Sequence, residues 1–504
     1  MTPGEDELGK TVVPRSPAPV SGYDRVRHGV HNLQRADVIA DPQLYWNAIA
    51  ELPSIFYDEV GGVWVCSGYS EAAEILSNGR VFSSARHHAP GDLQQRGMEH
   101  FLPTAEMLSA QILFSDPPEH TRIRYALRGQ FTRASVRRHD PAMRDMVAEL
   151  LRSLPDHGTV DVVADFAEQL PTRLMTYLLG MDGRGEELTR WADAYERLLS
   201  SVSTFPSRTD IEIVSVIDEA LAGLRRLTAE RLATPGDDLI SALATGLQGD
   251  FSPRSVSSGE PPEELLQLVA ANTMVMLASG YQTLTHLVST GLLLLAEQPE
   301  QLKRLRAEPS LIDSAVDELM RIDGSSQYVG RHVVRDVEVG GARLKAGASV
   351  IVLLGAANLD PRKFTEPLVF DIGRSEGRHL GFGAGAHYCL GAPFAERLAG
   401  WAIQGFIEHY QEFTPLDGPS DAVQWGPHGN TRSRAHAGMT VQRGPRENAP
   451  SVDPPDRAQS VPKSRRRSPN SNGTSWSRNG TKPAPWLAPP PWSAGICCSR
   501  NEPV

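Results

Sequence analysis

Apolar residues along this chain recur mostly at spacings of three and four, the period of helices with a buried face, while only short stretches alternate with a period of two. The longest helical pattern runs from Glu263 to Glu297 and is apolar on nearly every face, predicting a central buried helix. Such a helix is about 50 Å long at ~1.5 Å per residue. The pattern is interrupted at Ala278-Ser-Gly-Tyr-Gln-Thr283. A short amphipathic helix is expected after Asp41-Pro42, with Pro42 in its first turn. Further helices are expected over Asp161–Met181 and Glu186–Gly249, punctuated by Pro171, Gly180, Pro206 and Pro235-Gly236, and over Pro299–Arg321. Another runs from Gly391 to about Tyr410, carried by Leu398, Trp401, Ala402 and Ile403. Two β-rich runs flank Gly61-Gly62 between Ile55 and Cys66, a hairpin signal. Val333 to Val339 leads into Gly340-Gly341, Ala348–Leu354 reads as a buried strand, and weaker strand signals lie at Val423–Trp425 and Met439–Gln442.

The two ends lack this patterning. Residues 1 to about 30 are polar and proline-containing, expected as a mobile arm. Residues 444–504 are rich in Pro, Ser, Arg and Asn, carry Lys463-Ser-Arg-Arg-Arg467, and are expected to be disordered. The net charge of −11 gives no support to nucleic-acid binding. Four cysteines, Cys66, Cys389, Cys497 and Cys498, are too sparse for a disulfide framework, and Cys66 fits strand packing. No signal-peptide pattern opens the chain, and no stretch supplies the ~20 apolar residues that span a bilayer, so a cytoplasmic protein without a membrane anchor is expected.

One stretch carries chemistry, His379-Leu-Gly-Phe-Gly-Ala-Gly-Ala-His-Tyr-Cys-Leu-Gly391. Its glycines permit positive-φ turns and let the backbone lie against a flat ligand with N–H groups aimed at the sulfur. Cys389 also precedes a helix, whose N-terminal dipole favours a thiolate. The order Phe382-Gly383-x-Gly385-x-His387-x-Cys389-x-Gly391 resembles the haem-binding loop of the cytochrome P450 family, in which the cysteine is the iron's proximal ligand. Three further segments resemble that family in the expected order, so the resemblance covers about residues 35 to 443.

In Asp116-Pro-Pro-Glu-His120-Thr-Arg-Ile-Arg124 the two basic residues share a helical face and match the family's propionate-binding pair. Ser279 to Thr283 aligns with the family's A-G-x-(E/D)-T on the distal side of the haem. The resemblance implies an oxygen-handling role for Thr283, with Gln282 replacing the family's acid. Gln orders water but cannot ionise, so protons are expected from substrate or from water admitted by the loop carrying His87 and His88. Glu318-Leu-Met-Arg321 matches E-x-x-R, which with Arg374 beside Phe364, Pro367 and Phe370 implies a structural lock. Arg331 matches a strand arginine on a propionate, and His387 joins the same cationic set. His87, His88 and His100 lie in a polar stretch at the family's substrate-covering loop, where solvation is expected rather than a metal site. Phe205-Pro206-Ser207 occupies the second covering element.

What the resemblance implies is a mainly α protein with small β-sheets, the cytochrome P450 fold: an arm (1–34), a haem domain (35–443) and a tail (444–504). It implies haem b on Cys389, framed by Phe382, Gly383 and Gly391, and insertion of one oxygen atom from O2 into a small, secondary-metabolite-like substrate. With no flavin or iron–sulfur motif in the chain, electrons are expected from NAD(P)H through a ferredoxin-type donor and its reductase, serving a monomeric enzyme. The missing acid leaves oxidative cyclisation, aryl coupling or peroxide-driven oxidation open, and a haem-thiolate sensor without turnover is the rival of another class.

Overall fold

The computed structural model describes residues 23–85, 102–201, 208–251, 261–416, 423–425, 432–434 and 437–443. His87, His88, His100, the Phe205-Pro206-Ser207 tip and the 444–504 tail lie outside these residues.

The Gly61-Gly62 hairpin forms as its pattern predicts. β1 (Ile55–Asp58) and β2 (Val63–Cys66) pair antiparallel, with Gly62 at φ 64° in the turn. Cys66 is fully buried in this sheet. β3 (Phe82–Ser83), β4 (Tyr328–Val333) and β5 (Ser349–Leu353) complete a five-stranded sheet of order β1-β2-β5-β4-β3, in which the β2–β5 pairing is parallel. This sheet places Arg331 on β4, opposite Val350.

Helices make up most of the rest. Those that build the site are α1 (Tyr69–Ser77), α2 (Glu119–Leu127), α3 (Gln169–Leu178), α4 (Gly185–Ser201), α5 (Glu263–Glu297), α6 (Ile312–Asp323) and α7 (Ala392–His409). The helix after Pro42 spans Gln43–Ile49, and α7 ends at His409. α5 crosses the core with 21 buried residues, as its unbroken apolar character requires. It meets α6 and α7 at Gly291, where a Cβ would lie 2.8 Å from Leu319 and 2.9 Å from Ile403. Each large aliphatic side chain buried there contributes about 1.5–3 kcal/mol.

Three expectations about helix boundaries are corrected. The interruption at Ala278–Thr283 does not break α5, because hydroxyls supplement its ladder: Thr283 donates to the Ser279 carbonyl at 2.8 Å and Thr285 to that of Tyr281 at 2.9 Å. The single helix expected over Pro299–Arg321 is divided at Pro309, with a 3-10 turn at Pro309–Leu311 between Pro299–Ala307 and α6. Asp161 ends a strand (His157–Asp161) and caps a π-helical turn (Val162–Ala167) before α3, whose first turn accommodates Pro171. No helix among the described residues is long and apolar enough to cross a membrane.

Candidate functional site

The loop before α7 is held in place before any ligand is considered. Gly383 and Gly385 sit at φ 70° and 69°, conformations that side-chain-bearing residues avoid. A Cβ at Gly385 would meet the Leu76 carbonyl and lie 2.7 Å from Ser77 Cα, so α1 packs directly on the loop. The Cys389 N–H donates to the Phe382 carbonyl at 2.9 Å, closing the turn. At Gly391 a Cβ would stand 3.9 Å from Cys389 Sγ, beside the sulfur. Cys389 itself is partly exposed. Burial pushes its thiol up, opposed by the backbone N–H groups of Gly391 and Ala392 and by the Arg124 charge.

The four basic residues singled out in the sequence are brought together beside this loop. His120, on α2, stacks on His387 with ring centroids 4.1 Å apart. Arg124 donates from Nη2 to the Tyr388 carbonyl at 2.8 Å, one residue before the cysteine. Arg331 is close enough for its charge to act on His387. Burial first, then His120 and Arg331, hold His387 down to about 3, and burial also lowers His120 and Arg124. His120 is 2% exposed, and its Nε2 is buried without a hydrogen-bond partner. The nearby Asp116 carboxylate is occupied elsewhere, accepting from the Ser83 hydroxyl and, at 3.0 Å, from the Ser84 N–H. Two guanidinium groups and two imidazoles of lowered proton affinity thus converge beside a buried nitrogen that lacks a partner, an environment suited to an anionic guest.

Behind the loop, charges are saturated. Arg321 and Glu318 pair at 2.7 Å with side chains 2% and 1% exposed, and Arg374 Nε reaches Glu318 at 3.1 Å. Arg321 also donates to the Asn358 and Pro367 carbonyls, and Arg374 to those of Thr365 and Val369. On α5 lie Gln282 and Thr283; Gln282 Oε1 is buried without a partner.

A family model described as Cytochrome P450 matches residues 257–426. The biotin biosynthesis cytochrome P450 of Bacillus subtilis is 31% identical over 70% of this chain and 85% of its own length. The chain belongs to the cytochrome P450 family. The 6-deoxyerythronolide B hydroxylase of Saccharopolyspora erythraea is likewise 31% identical, over 72% of this chain and 86% of its own. The crystal structure of CalO2 superposes with a TM-score of 0.70 at 27% identity, covering 83% of this P450 and all of that chain. Family membership makes this P450 a haem-dependent monooxygenase that depends on redox partners. Its residues fit the cofactor. The orphaned His120 Nε2 and the Arg124 and Arg331 charges suit propionates, and Cys389, whose sulfur lies beside Gly391, would supply the thiolate ligand.

Sequence reasoning missed two contributors. Asp116 is a buttress tying β3 to the start of α2, legible only as part of Asp-Pro-Pro. Glu196 is a buried acid on α4; its signal was a charge at 196 within the stripe Leu188, Ala192, Tyr195.

Proposed function

We propose that this P450 holds haem b through Cys389, with His120, Arg124, Arg331 and His387 on its propionates and Phe382, Gly383 and Gly391 framing the ligand loop. The observation that carries this reading is the orphaned, buried His120 Nε2 in ring contact with His387, two residues before Cys389. The haem supplies the oxidising chemistry; the protein supplies a thiolate, placement of substrate and protons. Two electrons and two protons enter per O2, one oxygen atom going to substrate and the other to water.

Electrons come from NAD(P)H through a ferredoxin-type protein and its reductase, and the substrate is a small secondary metabolite. The named activity of the relative from Saccharopolyspora erythraea, a hydroxylase, supports this class. Thr283 is the oxygen-handling residue of α5, its hydroxyl parked on the Ser279 carbonyl. Residues 35–443 form the haem domain, active as a cytoplasmic monomer with a dispensable tail; residues 23–34, expected in the mobile arm, instead fold into short helices packed on the domain, with Leu33 buried in its core. Glu318, Arg321 and Arg374 are structural.

The reduced holoprotein under carbon monoxide is expected to show the strongly red-shifted Soret band of thiolate ligation, lost in Cys389→His. A histidine-type spectrum in the wild type overturns the ligand assignment. Thr283→Ala is expected to divert reducing equivalents to hydrogen peroxide, and unchanged product yield refutes its role.

A further inference from the structure

The distal helix α5 lacks an ionisable acid at position 282, yet the structure sets one against it from the side. α4 packs on α5 and carries Glu196 into the interior, where it is 2% exposed. Its Oε1 is fully buried without a hydrogen-bond partner. The side chain within hydrogen-bonding reach of the Glu196 carboxyl is Gln282, whose Oε1 is also buried and unpartnered. The Gln282 hydrogen bond by itself favours the ionised carboxylate, but that form is an acceptor only and leaves Glu196 Oε1 and Gln282 Oε1 unpartnered, whereas a proton on Glu196 supplies a donor between them. The burial of the site and the Asp193 charge favour that proton, against the Gln282 hydrogen bond. Asp193 lies on the same helix and is answered by Arg197 at 3.6 Å, and on α5 the adjacent Tyr281 donates to Glu168 at 3.0 Å. Burial first, and the Asp193 charge second, push the Glu196 carboxyl up to about 9, so it is neutral at physiological pH.

We propose that Glu196 is the proton reservoir of the distal side, acting through the Gln282 amide and a water molecule to serve Thr283. The inference rests on the monooxygenase reading and deepens it. Each transfer breaks the Glu196 O–H bond, passes the proton to a water held by Gln282, and leaves a carboxylate that retakes a proton from solvent; the electrons arrive separately from the redox partner. Glu196 touches neither substrate nor haem in this scheme. It is a positioning and supply residue acting from the second helix. A buried neutral acid is a donor held ready, which Gln282 alone cannot be.

The test uses the haem-loaded full chain. Infrared spectra at pH 7 are expected to show a protonated-carboxyl band that shifts in heavy water, disappears on titration near pH 9, and is absent from Glu196→Gln. Because the folded state holds this proton between the ordinary carboxylate range and about pH 9 while the unfolded chain has released it, stability should fall with rising pH across that window. Glu196→Gln should flatten that slope. With NAD(P)H and a surrogate ferredoxin and reductase, and no added substrate, the wild type should lose oxygen consumption above about pH 9. Glu196→Gln should be at least tenfold slower without that limb, and Gln282→Glu in the same background should restore the rate. An ionised Glu196 at pH 7, or an unchanged rate and pH profile in Glu196→Gln, overturns the inference. A wild type that consumes no oxygen with any partner pair overturns the monooxygenase reading, and the inference with it.

Discussion

Two clusters of buried and half-buried ionisable groups flank the Cys389 loop, and they differ in how their polar atoms are partnered. Around Glu318, Arg321 and Arg374 the charged atoms meet partners: Glu318 takes both guanidinium groups and the Asp371 N–H, and the other arginine donors go to the Glu376 carboxylate and to backbone carbonyls. Around His120, Arg124, Arg331 and His387, burial and the arginine charges keep protons off the two imidazoles, and the buried His120 Nε2 has no partner. A saturated cluster is complete as folded, whereas a buried polar atom without a partner is held only at a cost and is the place where a ligand would be gained. Burial of charge alone therefore does not distinguish structure from binding, but the accounting of partners does.

The sharpest way to break the comparison is at Glu318. Glu318→Ala leaves the buried Arg321 guanidinium without its carboxylate, while Arg374 keeps Glu376 at 2.8 Å, and is expected to cost about 3–5 kcal/mol whether or not haem is bound. Urea denaturation of the holo and haem-free chains measures it, and a loss confined to the holo form would erase the distinction.

Removing charge from the unsaturated cluster should act in the opposite sense. Arg124→Gln with Arg331→Gln is expected to weaken haem retention by about 1.5–3 kcal/mol for each charged hydrogen bond lost, with a far smaller change in the haem-free protein. Transfer of haem to an acceptor protein reads the retention. Full retention in the double variant would mean that these arginines serve the fold.

His120→Leu sharpens the contrast further. It deletes the orphaned Nε2, so the haem-free chain should lose no stability and gain up to about 1 kcal/mol, while haem retention falls. A destabilised haem-free variant would show that the nitrogen is satisfied after all.

The smallest effect is expected at a partly exposed pair that belongs to neither cluster. Arg397 donates to Asp140 at 2.8 and 2.6 Å and holds its carboxyl below the ordinary value. A depressed carboxyl stabilises above its unfolded value and loses that contribution as pH falls through the folded one. Asp140→Asn should cost about 0.5–1 kcal/mol at neutral pH and nothing in acid, read from denaturation midpoints at several pH values.

The chain by itself determined more of this protein than local patterning usually does, for identifiable reasons. The boundaries of Glu263–Glu297 were legible because a helix buried on all sides is apolar throughout, and the Gly61-Gly62 hairpin because its turn demands glycine. The ligand loop was legible because backbone approach to a flat cofactor restricts several positions at once. Patterning misjudged the Ala278–Thr283 segment, since polarity in a sequence does not reveal that a hydroxyl satisfies the carbonyl four residues back. Only the tertiary structure decided which charges meet. Glu318 finds Arg374 across 56 residues, His120 finds His387 across 267, and Glu196 finds Gln282 across 86. Proton affinity and partner satisfaction depend on neighbours brought together by packing, and no local pattern on α4 says which face of α5 its acid will meet.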